Sequence, residues 1–194
     1  MKRFGFRPRK NEIMRKDSGQ TVAFAGLFLI IFLVVLMTAL LQMQMLRASS
    51  GITEDALAAS GLASALIDIR IYGTTHEIQI TNPEQAYARY CHALKENLGL
   101  NELWECQNHD LIAGRVEVSA YIIYNVLDDV VDVWERRGEA VRTYTASVGT
   151  VTTPEGQMVE RTGVYSEITY PVEGAFGFSF EAKKGKLVEV EGIP

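Results

Sequence analysis

Residues 22–41 read VAFAGLFLIIFLVVLMTALL, twenty residues with no charge, no proline and a single glycine, Gly26. An α-helix of that length spans about 30 Å, the thickness of a bilayer core. A core helix of a soluble protein usually keeps one polar face, and this stretch has none. It therefore reads as a membrane span. The rest of the chain is either before the membrane or beyond it.

Charge is distributed unevenly about the span. Residues 1–17 hold seven Lys or Arg against Glu12 and Asp17, a net of +5, whereas the remaining 177 residues hold 12 basic and 22 acidic side chains, a net of −10. Basic residues beside a span are retained on the cytoplasmic side. The N-terminus is expected inside and the C-terminal part outside. A nucleic-acid patch is the other reading of such an arm, and its place against a span argues for lipid instead. A signal peptide is the rival for the first 50 residues, with cleavage near Ala48-Ser49-Ser50. Signal h-regions, however, run about 7–15 residues, shorter than this one. No Cys stands directly after the apolar run, as a lipoprotein-type anchor would need, and no Asn-x-Ser/Thr sequon occurs.

Four segments follow from this: a basic cytoplasmic arm over 1–19, the transmembrane helix over 20–46, a membrane-proximal Ala-rich helix over 47–72, and an extracytoplasmic domain over 73–194. In the third, Thr53 reads as an N-cap, with Glu54 and Asp55 in the first turn. Ser49-Ser50-Gly51 before it reads as a bend. Ile52, Ala56, Ala59, Ala63 and Leu66 recur at helical spacing and form a narrow apolar face. Ala56, Ala59, Ala63 and Leu66 are its candidate packing residues. Such a face either covers the domain's sheet, the expectation taken here, or packs against copies of itself.

Asn82-Pro83 starts another helix, since Asn caps and Pro suits the first helical position, and Gly99 ends it. Ala86, Tyr90, Leu94 and Leu98 share its apolar face. Residues 77–80 read as a short strand. From Arg115 the period becomes two: Val116, Val118, Ala120, Ile122, Tyr124 and Val126 line one side of a long strand. Residues 130–135, 140–146, 160–170, 177–181 and 186–190 continue the series. Turns are expected at 136–138, 153–156 and 183–185. Residues 126–136 also suit an amphipathic helix. The expected fold class is α+β: an N-terminal transmembrane helix, then an external domain with helices packed on one face of an antiparallel meander.

Cys91 and Cys106 both fall in the external part and read as one disulfide, which would contribute about 3 kcal/mol by the chain-entropy argument. Two thiols, or a metal site with His92 and His109, are the alternatives. The adjacent pair Cys91-His92 does not match zinc-ligand spacing. No nucleophile elbow, phosphate loop or H-E-x-x-H occurs. Asp128, Asp129 and Asp132 read as a charged turn before a cation site. The three histidines read as surface residues, and Trp104 and Trp134 as core or interface residues. No enzyme and no cofactor are expected.

The order of a basic arm, Asp17-Ser18-Gly19-Gln20, an apolar span and the Ala-rich Glu54-Asp55-Ala56-Leu57-Ala58-Ala59 resembles the TadE/TadG-like minor pilins of Tad (tight adherence, Flp-type) pilus systems. The resemblance covers roughly residues 15–66. It implies a processing site at Gly19 and Gln20, and as partners the bilayer, other pilin-like or secretion-platform subunits, and copies of the chain itself; no nucleic acid is implied. Cleavage after Gly19 would put Phe24 where prepilins usually carry a Glu. That departure favours an anchored minor or assembly role over the filament body. An anchored binding or sensor domain is the alternative, with little room for a signalling domain in so short an arm.

Overall fold

The structure is a computed structural model that describes residues 10–107, 112, 114–173 and 179–191, with side chains from residue 19 onward and without that of Glu173. The basic arm's first nine residues, its side chains up to residue 18, and His109 lie outside the described residues. The chain divides into two compact units, Met1–Gln44 and Met45–Pro194.

The described residues of the first unit are helical. Helix α1 (Lys10–Ser64) contains a segment long and apolar enough to cross a membrane. Its large apolar side chains stand exposed from Val22 to Leu46. Thr38 hides its hydroxyl by donating to the Val34 carbonyl at 2.8 Å, the usual way a hydroxyl is carried in an apolar helix. The helix is continuous through Ser49-Ser50-Gly51, so the expected bend is absent and Thr53 is an interior residue, not an N-cap. It stops at Ser64, earlier than residue 72, and a separate short helix α2 (Ile69–Thr75) follows. Asp68 caps α2 by accepting from the Arg70 N–H at 3.0 Å.

The second unit takes in the end of α1 from Met45, helix α2, helix α3 (Pro83–Leu98) and five strands: β1 (Glu117–Leu127), β2 (Val130–Arg137), β3 (Ala140–Ser147), β4 (Gly163–Glu173) and β5 (Ser179–Glu189). Helix α3 matches the expectation. Asn82 accepts from Gln85 N–H, Pro83 opens the first turn, and Gly99 takes the left-handed conformation (φ 62°) that ends it. Its buried residues are Ala86, Tyr90, Leu94 and Leu98. Residues 77–80 form no strand. Instead the Asn125 side chain accepts from Ile80 N–H (2.9 Å) and donates to its carbonyl (3.2 Å), doing a neighbouring strand's work.

All neighbouring strands are antiparallel, in the order β3-β2-β1-β4-β5. A plain meander would run in sequence order; here the chain leaves one edge after β3 and returns beside β1. Residues 126–136 resolve as the end of β1, the loop Asp128-Asp129 and most of β2, not a helix. The turn expected at 183–185 is absent, because these residues lie inside β5. Gly185 is there for clearance: a Cβ would overlap the hydroxyl of Tyr165 on β4.

The sheet has a core on each face. Tyr121, Ile123, Val164 and Ile168 meet Ala56 and Leu57 of α1 and the buried residues of α3. Ile122, Tyr124, Val131, Val133 and Tyr165 point the other way, under Val151 and Val159 of the β3–β4 connection. This second core explains the crossover, since the returning chain covers the open face. A β-bulge between Val118 and Ala120 shifts the alternation by one residue. Val116 and Val118 therefore belong to the helix-side core, and Ile122 and Tyr124 to the other, correcting the single-faced strand expected.

Candidate functional site

Two surfaces qualify as candidate functional sites: the membrane-length apolar stretch of α1 and the faces of α1 beyond it. Gly19 and Gln20, the expected processing residues, are exposed and helical. Of the expected packing residues, only Ala56 is buried, at 5% exposure; Ala59 and Ala63 are exposed, and Leu66 is 55% exposed. The expectation that this face covers the sheet is therefore overturned. The buried face is Ser49, Thr53, Ala56, Leu57, Ser60, Gly61 and Ser64. Its hydroxyls tolerate burial because the helix supplies acceptors: Ser60 donates to the Ala56 carbonyl at 2.6 Å and Ser64 to that of Gly61 at 2.8 Å. Gly61 lets the backbone close on β5, where a Cβ would stand 2.8 Å from Val188 Cγ2. What remains outside is an apolar stripe, with Ile52 47%, Leu62 59% and Leu66 55% exposed beside Ala59 and Ala63.

An ion cluster ties α1 to β5. Glu54 meets Lys186 at 2.7 Å and Lys184 at 3.1 Å. It belongs to this cluster and not, as expected, to a helix's first turn. Glu54 lies beyond the exposed apolar stretch of residues 22–46, and Lys186, then Lys184, lower its pKa to about 2 from the ordinary 4.5. A carboxyl depressed by folding stabilises the fold fully above its unfolded pKa, and the contribution fades as pH falls toward the folded one. The thermal midpoint of the detergent-solubilised protein should therefore drop between about pH 4.5 and pH 2. In Glu54→Gln that drop should be shallower; equal slopes in the two proteins would exclude the cluster as a source.

Cys91 and Cys106 are not bridged, which corrects the expected disulfide. The Cys106 thiol donates to the Leu98 carbonyl at 3.5 Å, at the end of α3. Cys91 sits two helical turns earlier, about 10 Å along the axis, beyond the reach of a disulfide. Burial pushes the Cys91 thiol up, with Tyr87 and Arg136 opposing. Arg136 stands over the Tyr87 ring at 4.6 Å and bonds Glu84 at 2.8 Å, fastening β2 to α3.

Among the described residues, no group of three or more His, Cys, Asp or Glu side chains converges as metal ligands. Asp128 takes a left-handed φ of 49° in its loop, and Asp132 accepts from the Thr145 hydroxyl at 2.7 Å. His76 ends α2, and His92 lies 3.5 Å from Glu96 on the exposed side of α3. Trp104 and Trp134 both pack against the helix-side core. A cleft of about 510 Å³ runs between Glu77, Asp128, Glu160, Arg161 and Glu191, with Arg161 paired to Glu191. Sequence reasoning missed this cleft and the Glu54 cluster, because their members lie far apart along the chain.

No family model, curated protein or solved structure matches this chain.

Proposed function

We propose that the protein is a non-enzymatic, membrane-anchored, pilin-like subunit or assembly factor of a bacterial Tad-type pilus or secretion apparatus. The N-terminus faces the cytoplasm and the β-rich unit lies outside. The orientation rests on the charge asymmetry across the span, since the unbridged cysteines lend it no support.

The observation that carries this reading is the helix α1 itself. One continuous helix bears the membrane-length segment and, beyond it, an exposed stripe of Ile52, Ala59, Leu62 and Ala63. Apolar helices stay in a bilayer until they associate by packing, and small residues allow close approach. A helix that buries one face in its own domain and leaves another apolar face open suits a subunit that joins others.

Cysteine crosslinking in native membranes tests it. Ala59→Cys and Ala63→Cys should each give a reducible crosslink to a copy of the chain or to another apparatus subunit, well above that of the parent. Monomer alone from both variants would sink the reading. The intact mass of the protein from native membranes then sorts the roles. A full-length mass, allowing for loss of Met1, means an uncleaved anchor. Loss of residues 1–19 means prepilin-type processing despite Phe24.

A further inference from the structure

The outer edge of β3 is the least defended part of the sheet. The strand pairs only with β2 on one side, and among the described residues nothing covers the other. Every residue from Ala140 to Ser147 is exposed except Ala146, which is half-buried; Val141 and Tyr144 are 43% and 45% exposed. Edge strands are normally guarded by charges, and the opposite edge follows that rule. Strand β5 reads SFEAKKGKLVE, with a charge at five of eleven positions. Strand β3 reads AVRTYTAS, with Arg142 as its one charge. It is also the one strand of the five without Asp or Glu.

We propose that this edge pairs, antiparallel, with β3 of a second copy of the chain, joining two five-stranded sheets across a two-fold axis. The occupant follows from charge. Outside the arm the chain is net −10 and repels itself, so copies approach best along the strand that carries no acid.

The register follows from the β2–β3 loop. Arg137 and Ala140 flank a two-residue loop and form its closing hydrogen-bonded pair. Every second residue from Val141 then turns its N–H and C=O outward: Val141, Thr143 and Thr145, and Ser147 with its C=O already taken by Thr150. Antiparallel partners must share a face, so a two-fold axis passes through a residue. An axis at Thr143 puts Arg142 opposite the partner's Tyr144, twice, and Val141 opposite Thr145. Arg over Tyr and Thr against Thr are favourable cross-strand pairs, and no like charges face each other. An axis at Tyr144 would instead leave Arg142 opposite Ala146.

The test uses the full-length protein in detergent and in native membranes. Thr143→Cys under mild oxidation should give at least five times the parent's yield of reducible homodimer, and Lys184→Cys on the opposite edge should not. Thr143→Pro should keep its circular dichroism, because the N–H it removes faces away from β2, and should lose the dimer in light scattering. Thr143→Lys, which sets two lysines against each other, should lose it without a backbone change. Monomeric Thr143→Cys, equal crosslinking through Lys184→Cys, or capture of a different protein in its place would each overturn the proposal. So would an undiminished dimer in both Thr143→Lys and a folded Thr143→Pro. Crosslinking at Ala59 reads a different surface, so either result there leaves this test intact.

Discussion

Leu33→Lys with Val34→Lys should release the protein from membranes into the alkaline carbonate supernatant. Both residues sit near the middle of the span, in the segment where no large apolar side chain is buried. A lysine at the centre of a spanning helix costs about 3 kcal/mol on insertion, so two cost about 6 kcal/mol, a factor of about ten thousand in partition. The same pair of lysines at Gln42 and Met43 should leave the protein in the pellet, because long basic side chains near a helix end reach the headgroups. Retention of the central double variant would mean that α1 does not span. The exposed apolar side chains of residues 22–46 would then need a protein cover instead.

Leu57→Ala should lower stability by about 3 kcal/mol, whereas Leu66→Ala should change it by less than about 0.5 kcal/mol. Leu57 has no exposed surface and lies among Tyr90, Leu94, Ile123 and Val164 of the helix-side core. Its truncation removes the transfer free energy of the side chain and leaves a cavity that the rigid sheet cannot close. Leu66 is 55% exposed. For a unit of this size the first change lowers the thermal midpoint by roughly 6–12 °C and the second by 2 °C at most. The pair discriminates between the buried face observed and the Ala59-Ala63-Leu66 face expected from periodicity. If Leu66→Ala proved the costlier change, Leu66 and not Leu57 would lie in the core.

That reversal shows where pattern reading stops. Periodicity ranks faces by apolar content, and on α1 the more apolar face is the exposed one. A serine-rich face packs well when each hydroxyl can return to its own helix, as Ser60 and Ser64 do. On α3 no such ambiguity arises, and all four residues expected in the core are there. The cysteines show a second limit, because proximity along the chain says nothing of distance across two helical turns.

By itself the sequence determined the elements whose signals are local. The span is apolar on every side, α3 carries its cap, proline and terminal glycine, and the strands alternate between period-two residues and turns. Each needs only neighbours within a few positions. The tertiary structure alone decided which face of α1 is buried, where β4 inserts, that residues 183–185 stay in a strand, and that β3 is left as the unguarded edge. Those outcomes depend on contacts between distant residues: Val188 closing on Gly61, Tyr165 lying over Gly185, and Val151 and Val159 covering the second face. Burial is a property of the packed whole, and no window of sequence contains it.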